Sequence, residues 1–239
     1  MKTIIHKSTD RGHANHGWLK ANHSFSFANY FDRDKMQFGA LRVLNDDVIA
    51  PEMGFGTHPH DNMEIITIPL SGSLKHRDNM NSSWQTIEAG EVQVMSAGTG
   101  LQHSEVNGSD SEYLNLFQIW IIPNKRNVEP RYGQKQFDKI ERQNRLQIVV
   151  SSIDNPYDGS LNIHQDAKIS RLDLSTETTF EYKPKSKSHG VYVMNIHGSV
   201  SIGTDELQQR DAIGISETDS FKIVSQEDSE LLLIEVPMQ

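Results

Sequence analysis

The sequence predicts an all-β protein built from two small, related β-barrels that pack together. Three observations indicate this fold class. Short apolar or alternating runs recur along the chain, separated by clusters of glycine, asparagine, aspartate and serine, which is the pattern of strands joined by turns. One plan of strands and turns occurs twice. The length of 239 residues suits one or two domains of about 150 residues each.

The predicted strands follow one another at short intervals. Their apolar residues are continuous or alternate with polar ones, because successive side chains of a strand point to opposite faces of the sheet. Turn-forming residues separate them at 45–47, 71–73, 88–90 and 98–100. The runs with this pattern are 40–44, 63–70, 92–95, 113–122, 146–150, 191–196, 212–215 and 231–236.

The repeated plan divides the chain into two halves. Segments 64–96 and 191–216 each follow the order strand, glycine turn, strand, short turn, strand, with Gly72 and Gly198 at the first turn. Between 123 and 145 the composition becomes charged and polar and is compatible with a short helix. We therefore predict an N-terminal domain over 1–130, a connecting segment over 131–145 and a C-terminal domain over 146–239.

The composition excludes several classes of site. The chain has no cysteine, so disulfides, cysteine nucleophiles and iron–sulfur clusters are ruled out, and His, Asp or Glu must hold any metal. With 32 acidic and 23 basic side chains and no long basic block, nucleic acid and anionic membranes are not expected as direct ligands. The first residues form no secretory signal and no apolar run is long enough to span a membrane, so we expect a cytoplasmic protein.

Two pairs of potential metal ligands are each spaced two residues apart. His58 and His60 form one pair, and His103 and Glu105 form the other. Residues i and i+2 of a strand project from the same face, so both pairs can point into one barrel interior and converge on an ion. At this histidine content about 0.5 His-x-His pairs are expected by chance, so the spacing alone is a weak signal.

The surroundings of the two pairs strengthen the interpretation. Both pairs follow glycine-rich stretches, at 54–56 and 98–100, which permit tight backbone turns beside a site. In the second copy of the plan, Ile223 and Ser225 stand where the second pair would be, so we predict one metal per chain. Imidazole and carboxylate ligands without sulfur suit Fe(II), Mn, Co, Ni, Cu(II) or Zn.

The two pairs belong to a longer pattern. Its elements are His58-Pro59-His60-x-x-x-Glu64, Gly72, Gly90, Gly98-Thr99-Gly100 and His103-x-Glu105. Together they resemble the metal-binding cupin domain of the pirin family. Segments 11–18, 23–27 and 55–60 further resemble bacterial members with quercetin 2,3-dioxygenase activity. The resemblance covers nearly the whole chain and is strongest from Arg11 to Pro130.

The resemblance implies a bicupin whose N-terminal barrel binds one iron-like ion and whose C-terminal barrel is degenerate. Matched residue by residue, the ligands are His58, His60, His103 and Glu105. Glu64 holds the position of a ligand in many other cupins, and we expect it to be a buried carboxylate that supports a ligand histidine, or an alternative ligand. Glu52 departs from the general cupin pattern, in which a glycine usually stands at this position.

The resemblance also implies an activity. We expect a metal-dependent dioxygenase of the quercetin 2,3-dioxygenase type that acts on a flavonol-like enolic aromatic with dioxygen. In this interpretation the enol hydroxyl loses its proton to Glu105, the catalytic base, and binds the metal as an enolate that reacts with dioxygen. Iron is the first expectation for the metal. We expect a monomer with a small aromatic substrate and no other cofactor.

Two other functions compete with this one. Pirin relatives are also described as cofactors of transcription regulators and metabolic enzymes, so the main alternative is a non-catalytic metal-binding protein that regulates a protein partner or senses redox state. The third is a bicupin that binds a small ligand without converting it. An open, apolar pocket around the metal favours the oxygenase, whereas a metal behind closed loops with a broad exposed apolar patch favours the regulator.

Further residues are candidates for the surroundings of the site. Phe38, Phe55 and Met95 are candidates for an apolar pocket wall, although ordinary barrel core explains them equally well. His76 and Asp78 share a strand face after the first glycine turn, and we predict that they form a structural pair.

Overall fold

All eight apolar runs predicted as strands lie in β-strands of the structure, a computed structural model that describes residues 1–238. The helical segments in this range are two short 3₁₀ turns, Ser8–Asp10 and Lys139–Arg142. The second turn lies in the stretch whose composition is compatible with a short helix. The predicted all-β class is confirmed. No helix among residues 1–238 is both long and apolar enough to cross a membrane.

The strands divide between two halves of the chain. The first half contains β1 (Lys2–His6), β2 (Gly12–Asn15), β3 (Leu19–His23), β4 (Leu41–Ile49), β5 (Gly54–His60), β6 (Glu64–Ser71), β7 (Ser73–Asp78), β8 (Gln85–Glu88), β9 (Glu91–Ser96), β10 (Leu101–Asn107), β11 (Leu114–Ile121) and β12 (Arg131–Gln136). The second half contains β13 (Gln147–Ser152), β14 (Leu161–Ile163), β15 (Lys168–Leu174), β16 (Thr179–Tyr182), β17 (His189–His197), β18 (Val200–Ile202), β19 (Asp205–Leu207), β20 (Ala212–Ser216), β21 (Phe221–Ser225) and β22 (Ser229–Pro237).

Each half forms one long and one short sheet. In the first half the orders are β12-β9-β6-β11-β4-β3-β2 and β5-β10-β7-β8, and in the second β1-β20-β17-β22-β15-β13-β14 and β16-β21-β18-β19. The two sets correspond except at one edge of the long sheets, where β2 pairs antiparallel with β3 but β14 pairs parallel with β13. The hairpin glycines Gly72 and Gly198 have similar left-handed φ values of 77° and 84°, which only glycine adopts readily. The predicted pair of related domains is therefore confirmed, each as an open two-sheet jelly roll rather than a closed barrel.

The two edge strands β1 and β12 cross between the halves. β1 precedes the first domain but pairs antiparallel with β20 of the second, with His6 opposite Ala212. β12 precedes the second domain but pairs with β9 of the first. Residues 2–6, predicted as part of the first domain, thus lie in a sheet of the second, and residues 131–136, predicted as connecting segment, form an edge strand of the first. Edge pairing joins residues far apart in sequence, so local patterns do not predict it.

One predicted turn is wrong. Residues 45–47 lie inside β4, which continues without interruption from Leu41 to Ile49. Asn45, Asp46 and Asp47 are all buried. Asparagine and aspartate favour turns because their side chains bond to nearby backbone, but here the side chains of Asn45 and Asp46 bond instead to His23 and Asn115 of the neighbouring strands.

The apolar core explains how the domains are held together. The largest cluster joins the two seven-stranded sheets and includes Leu44, Ile66 and Ile119 of the first domain and Met194, Leu232 and Ile234 of the second. The interior of the second domain is filled by a further apolar cluster that contains Ile223. The first domain has two smaller apolar clusters and buries several histidines and carboxylates. Burying such groups costs free energy unless they are paired or bind a ligand.

Candidate metal centre

Adjacent strands β5 and β10 carry the residues predicted as ligands. The strands pair antiparallel, with His103 opposite His58, and then shift register so that Glu105 lies opposite Phe55. One extra residue of β5 is accommodated at this irregularity. Bulges of this kind redirect side chains and are frequent beside active sites.

The three histidines converge on one point. Their candidate ligand nitrogens all lie within 4.8 Å of one another, and Nε2 of His60 is 3.0 Å from Nε2 of His103. Nδ1 of His58 lies 2.8 Å from the carbonyl oxygen of Gly56. A proton donated from Nδ1 to this carbonyl leaves Nε2 of His58 with a free lone pair, which is the usual arrangement of a metal-ligating histidine.

Burial keeps the imidazoles of His60 and His103 neutral at pH 7. Desolvation, with the neighbouring His58, lowers the pKa of His60 to about 4. Desolvation and three neighbouring imidazoles lower the pKa of His103 to about 2. A neutral imidazole is the form that binds a metal, so the lone pairs are available without the loss of a proton.

Glu105 is buried next to the histidine cluster. Its Oε2 accepts a hydrogen bond of 3.4 Å from Nε2 of Gln118. Its Oε1 is 4.0 Å from Nδ1 of His103 and has no hydrogen-bond partner among residues 1–238. Burial raises the pKa of Glu105 to about 7. The carboxyl group therefore has one oxygen free to bind an ion or to hold a proton.

A cavity of about 490 Å³ opens in front of these side chains. Its walls are largely aromatic: the Trp120 ring packs edge-on against His60 with centroids 4.9 Å apart, and Trp18 packs against Phe55 at 5.3 Å. The lining residues are Trp18, Phe27, Asn45, Asp47, Gly54, Phe55, Gly56, His58, His60, His103, Glu105, Gln118 and Trp120. An apolar cavity with a few convergent polar groups is the usual form of a small-molecule site.

Asp47 is a second buried carboxyl group in this cavity, and the sequence interpretation missed it. Its Oδ1 has no hydrogen-bond partner among the described residues. Burial, with the negative charges of Asp46 and Glu105 nearby, raises the pKa of Asp47 to about 8, so the group is mainly protonated at neutral pH. The signal was present in the sequence, since two adjacent aspartates interrupt an apolar run, but it resembled a turn.

Of the residues predicted to surround the site, some line the cavity and others do not. Phe55 lines the cavity. Phe38 and Met95 do not: Phe38 packs in the cluster between the domains and Met95 in a core cluster of the first domain. His76 lies behind the site, with its ring centroid 5.3 Å from that of His103. Its Nε2 is 3.9 Å from Oδ2 of Asp78.

Glu64 lies outside the histidine cluster and does not line the cavity. Its Oε2 accepts a hydrogen bond of 2.7 Å from the hydroxyl of Ser96. Burial raises the pKa of Glu64 to about 7. The carboxyl group is therefore held by a serine of the neighbouring strand.

Comparison with known proteins identifies the family. Residues 5–121 match the profile described as Pirin, and residues 148–236 match the profile described as Quercetinase C-terminal cupin domain. A protein named quercetin 2,3-dioxygenase from Escherichia coli strain K12 is 43% identical over 233 residues, 98% of each chain. The chain belongs to the pirin family. A pirin-like protein of Caulobacter vibrioides is 41% identical over 94% of this chain and 95% of its own.

A solved pirin structure has the same architecture. The crystal structure of bacterial pirin YhhW from Escherichia coli in complex with nickel(II) matches with a TM-score of 0.93 and 41% sequence identity, covering all of both chains. The predicted two-domain cupin fold is thereby confirmed.

The donor set of this pirin fits a divalent transition metal. Two nitrogen ligands about 2.1 Å from one ion and at right angles to each other are about 3.0 Å apart, and the Nε2 atoms of His60 and His103 are separated by 3.0 Å. The unpartnered Oε1 of Glu105 adds an oxygen donor at the edge of the same cluster. Nitrogen and oxygen donors without sulfur suit first-row divalent ions.

Proposed function

We propose that this pirin is a metal-dependent dioxygenase that cleaves a flavonol-like enolic aromatic. In this proposal His58, His60, His103 and Glu105 hold one divalent transition metal, with iron as the first candidate. The supporting observation is that the converging histidines face an open, aromatic-walled cavity of about 490 Å³. An oxygenase requires an open cavity with such walls to admit its substrate, whereas a buried regulatory metal does not require one.

The aromatic side chains would bind and orient a planar substrate. Trp120 packs against both His60 and Phe27, with ring centroids 4.9 and 5.3 Å apart, and these contacts hold its ring in one orientation. Aromatic rings bury a large area and favour offset or edge-on packing against a flat ligand. A bound flavonol would also displace water from the histidine cluster, which strengthens the electrostatic interactions there.

Glu105 is the proposed base that accepts the substrate proton. A bound divalent ion supplies Lewis acidity, which lowers the pKa of a substrate hydroxyl that coordinates it. Glu105, whose Oε1 has no hydrogen-bond partner among residues 1–238, would accept the enol proton either as a ligand of the ion or after this oxygen has partly dissociated from it.

Asp47 offers a complementary group. Because it is mainly protonated at neutral pH, its carboxyl can donate a hydrogen bond from an atom that has no protein partner. A second oxygen of the substrate, such as a carbonyl beside the enol, is the matching acceptor. Glu105 and Asp47 would thus act as base and donor in one cavity.

The proposal is tested by oxygen uptake. The protein is stripped of metal, reloaded separately with iron, manganese, nickel, cobalt or copper, and assayed with quercetin and a panel of enolic aromatics. We expect uptake that depends on both metal and substrate. His60→Ala should lose metal and activity together, whereas His16→Ala, at an exposed histidine, should keep both.

Two results would contradict the proposal. Full metal content in His60→Ala would remove the ligand assignment. A metal-loaded wild type that consumes no oxygen with any member of the panel would leave the non-catalytic regulatory function as the better explanation.

A further inference from the structure

A second cavity, of about 780 Å³, lies between the two domains and shares no lining residue with the histidine cavity. We propose that this interdomain cleft binds a small organic anion through a carboxylate or phosphate group. The first domain contributes Leu70 and Asn115 to it, and the second contributes Arg171 and Arg210. The proposal does not depend on the chemistry of the metal centre.

Buried guanidinium groups line the cleft with most of their donors unused. Arg142 and Arg171 are only 7% and 6% exposed, and each guanidinium has five N–H donors. Between them they make one side-chain hydrogen bond to the described residues, from Nη2 of Arg171 to Oε2 of Glu230 at 3.4 Å. Nε of Arg171 has no partner, and Nε of Arg142 lies 2.9 Å from Asp173 without the angle of a hydrogen bond.

The acidic groups nearby do not balance the cations. Glu230 is shared by three of them: its Oε2 lies 3.4 Å from Arg171 and 3.5 Å from Arg142, and its Oε1 pairs with Lys139. Asp173 pairs with Arg142 at 2.9 Å and Lys139 at 3.9 Å. Three cations therefore share two carboxylates.

The opposite wall has the same imbalance. Arg210 and Arg11 share the single carboxylate of Asp46, at 3.1 and 3.5 Å. The remaining acidic group of the cleft, Asp138, accepts a hydrogen bond of 3.0 Å from the backbone of Ile140 at the start of the 3₁₀ turn. Arg11, Asp46 and Asp173 do not line the cleft. The charged residues that line it are four cations, Lys139, Arg142, Arg171 and Arg210, and two carboxylates, Asp138 and Glu230, which is a positive excess in a protein whose net charge is −9.

A bound oxyanion would supply the negative charge and the hydrogen-bond acceptors that the arginines lack. Buried donors without acceptors cost free energy, and a carboxylate or phosphate offers several lone pairs that match the planar fork of a guanidinium. Burial first, and then the neighbouring Arg142, lower the pKa of Arg171 to about 10, because both disfavour its charged form. An anion between them reduces both penalties.

The rest of the cleft indicates an organic ligand. Leu70, Phe137 and Ile196 give it an apolar wall, and the volume exceeds what an inorganic ion needs. Small-molecule sites commonly combine apolar walls with a few placed polar groups. The ligand class is therefore a small molecule with one anionic group directed at the arginines and an apolar body.

Calorimetric titration tests the proposal with benzoate and phenyl phosphate as probes, each against sodium chloride at matched ionic strength. We expect saturable binding of at least one probe. Arg171→Lys keeps the charge but loses the fork, and Lys139→Gln removes an exposed cation with little risk to folding. Each should weaken binding by about tenfold, whereas Arg126→Gln, at an exposed arginine outside the cleft, should not change it.

The two probes distinguish the sources of the anionic group. Binding of benzoate alone assigns a carboxylate ligand, and binding of phenyl phosphate alone assigns a phosphate ligand. No saturable binding of either probe by the wild type would overturn the proposal, as would equal binding by the wild type and Lys139→Gln. Metal content should be unchanged in every variant, which separates this test from that of the proposed dioxygenase.

Discussion

Asp47 is the residue whose role is most directly testable. If its carboxyl donates a hydrogen bond to the substrate, Asp47→Ala should lower kcat/KM by about tenfold, since such a bond contributes about 1–3 kcal/mol. Asp47→Asn should restore most of the loss, because the amide also donates. Metal content, measured by elemental analysis, should equal that of the wild type in both variants. Equal activity of Asp47→Ala and the wild type would remove this role.

Glu52 occupies a backbone conformation that suits glycine. It has a φ of 59° and stands at the third position of a turn closed by a hydrogen bond of 3.2 Å from the Met53 amide to the Ala50 carbonyl, with Pro51 at the second position. A type II turn has positive φ at its third position. This explains why the general cupin pattern has a glycine here.

Glu52→Gly should therefore stabilise the protein. We expect a gain of about 0.5–1 kcal/mol in the free energy of unfolding, because relief of the left-handed strain exceeds the added entropy of the unfolded chain. The control is Glu181→Gly, inside strand β16 at an exposed residue, which should lose about 0.5–1 kcal/mol. Urea unfolding measures both, and a destabilised Glu52→Gly would contradict the strain interpretation.

At the scale of elements, strand β5 depends on two glycines in different ways. A Cβ at Gly54 would collide with the backbone of Glu105 and Val106, whereas a Cβ at Gly56 would meet nothing within 4 Å. Gly54→Ala should push β5 away from β10, cost about 1–3 kcal/mol of stability and weaken metal binding. Gly56→Ala should leave melting temperature and metal content near those of the wild type. Similar metal affinity in the two variants would show that the strand spacing does not position the histidines.

Strand β4 contributes to the histidine cavity and contacts a residue of the interdomain cleft. Its neighbours Asp46 and Asp47 point to opposite faces, as successive strand residues do. Asp46 contacts Arg210 of the interdomain cleft at 3.1 Å, and Asp47 lines the histidine cavity. One aspartate therefore contacts a residue of the cleft and the other lines the histidine cavity, which accounts for charged residues in a buried strand.

Sequence patterns predicted the parts of the site that are local. The i, i+2 spacing placed His58 with His60 on one strand and His103 with Glu105 on another, and local apolar runs predicted the long sheets. The cavity walls are different, since Trp18, Asp47 and Trp120 come from separate parts of the chain. Their meeting depends on strand order and register, for which the sequence has no local signal.

At the scale of the whole molecule, His6 on β1 links acidity to the stability of the domain contact. Its Nδ1 lies 2.8 Å from the hydroxyl of Tyr192 in the second domain. Burial first, then the charges of Lys35 and Arg11, lower the pKa of His6 to about 4. An unfolded histidine has a pKa of about 6.5, so between these values the unfolded chain binds a proton that the folded chain does not.

The free energy of unfolding should therefore fall as the pH decreases from about 6.5 towards 4. His6→Asn, which keeps a polar group but does not titrate, should lose less stability than the wild type between pH 7.5 and pH 5, by roughly 1–2 kcal/mol. Urea unfolding at the two pH values measures this difference. Parallel losses in the wild type and in His6→Asn would exclude His6 as a source of acid sensitivity.

The crossing of β1 into the second domain also affects how the protein is made. The partner of His6, Ala212, is synthesised about 200 residues after it. At about 5–20 residues per second, the ribosome needs about 10–40 s to complete the strand that β1 joins. During that time the first domain can assemble around its own sheets while β1 has no partner strand, and the ladder between β1 and β20 can close only afterwards.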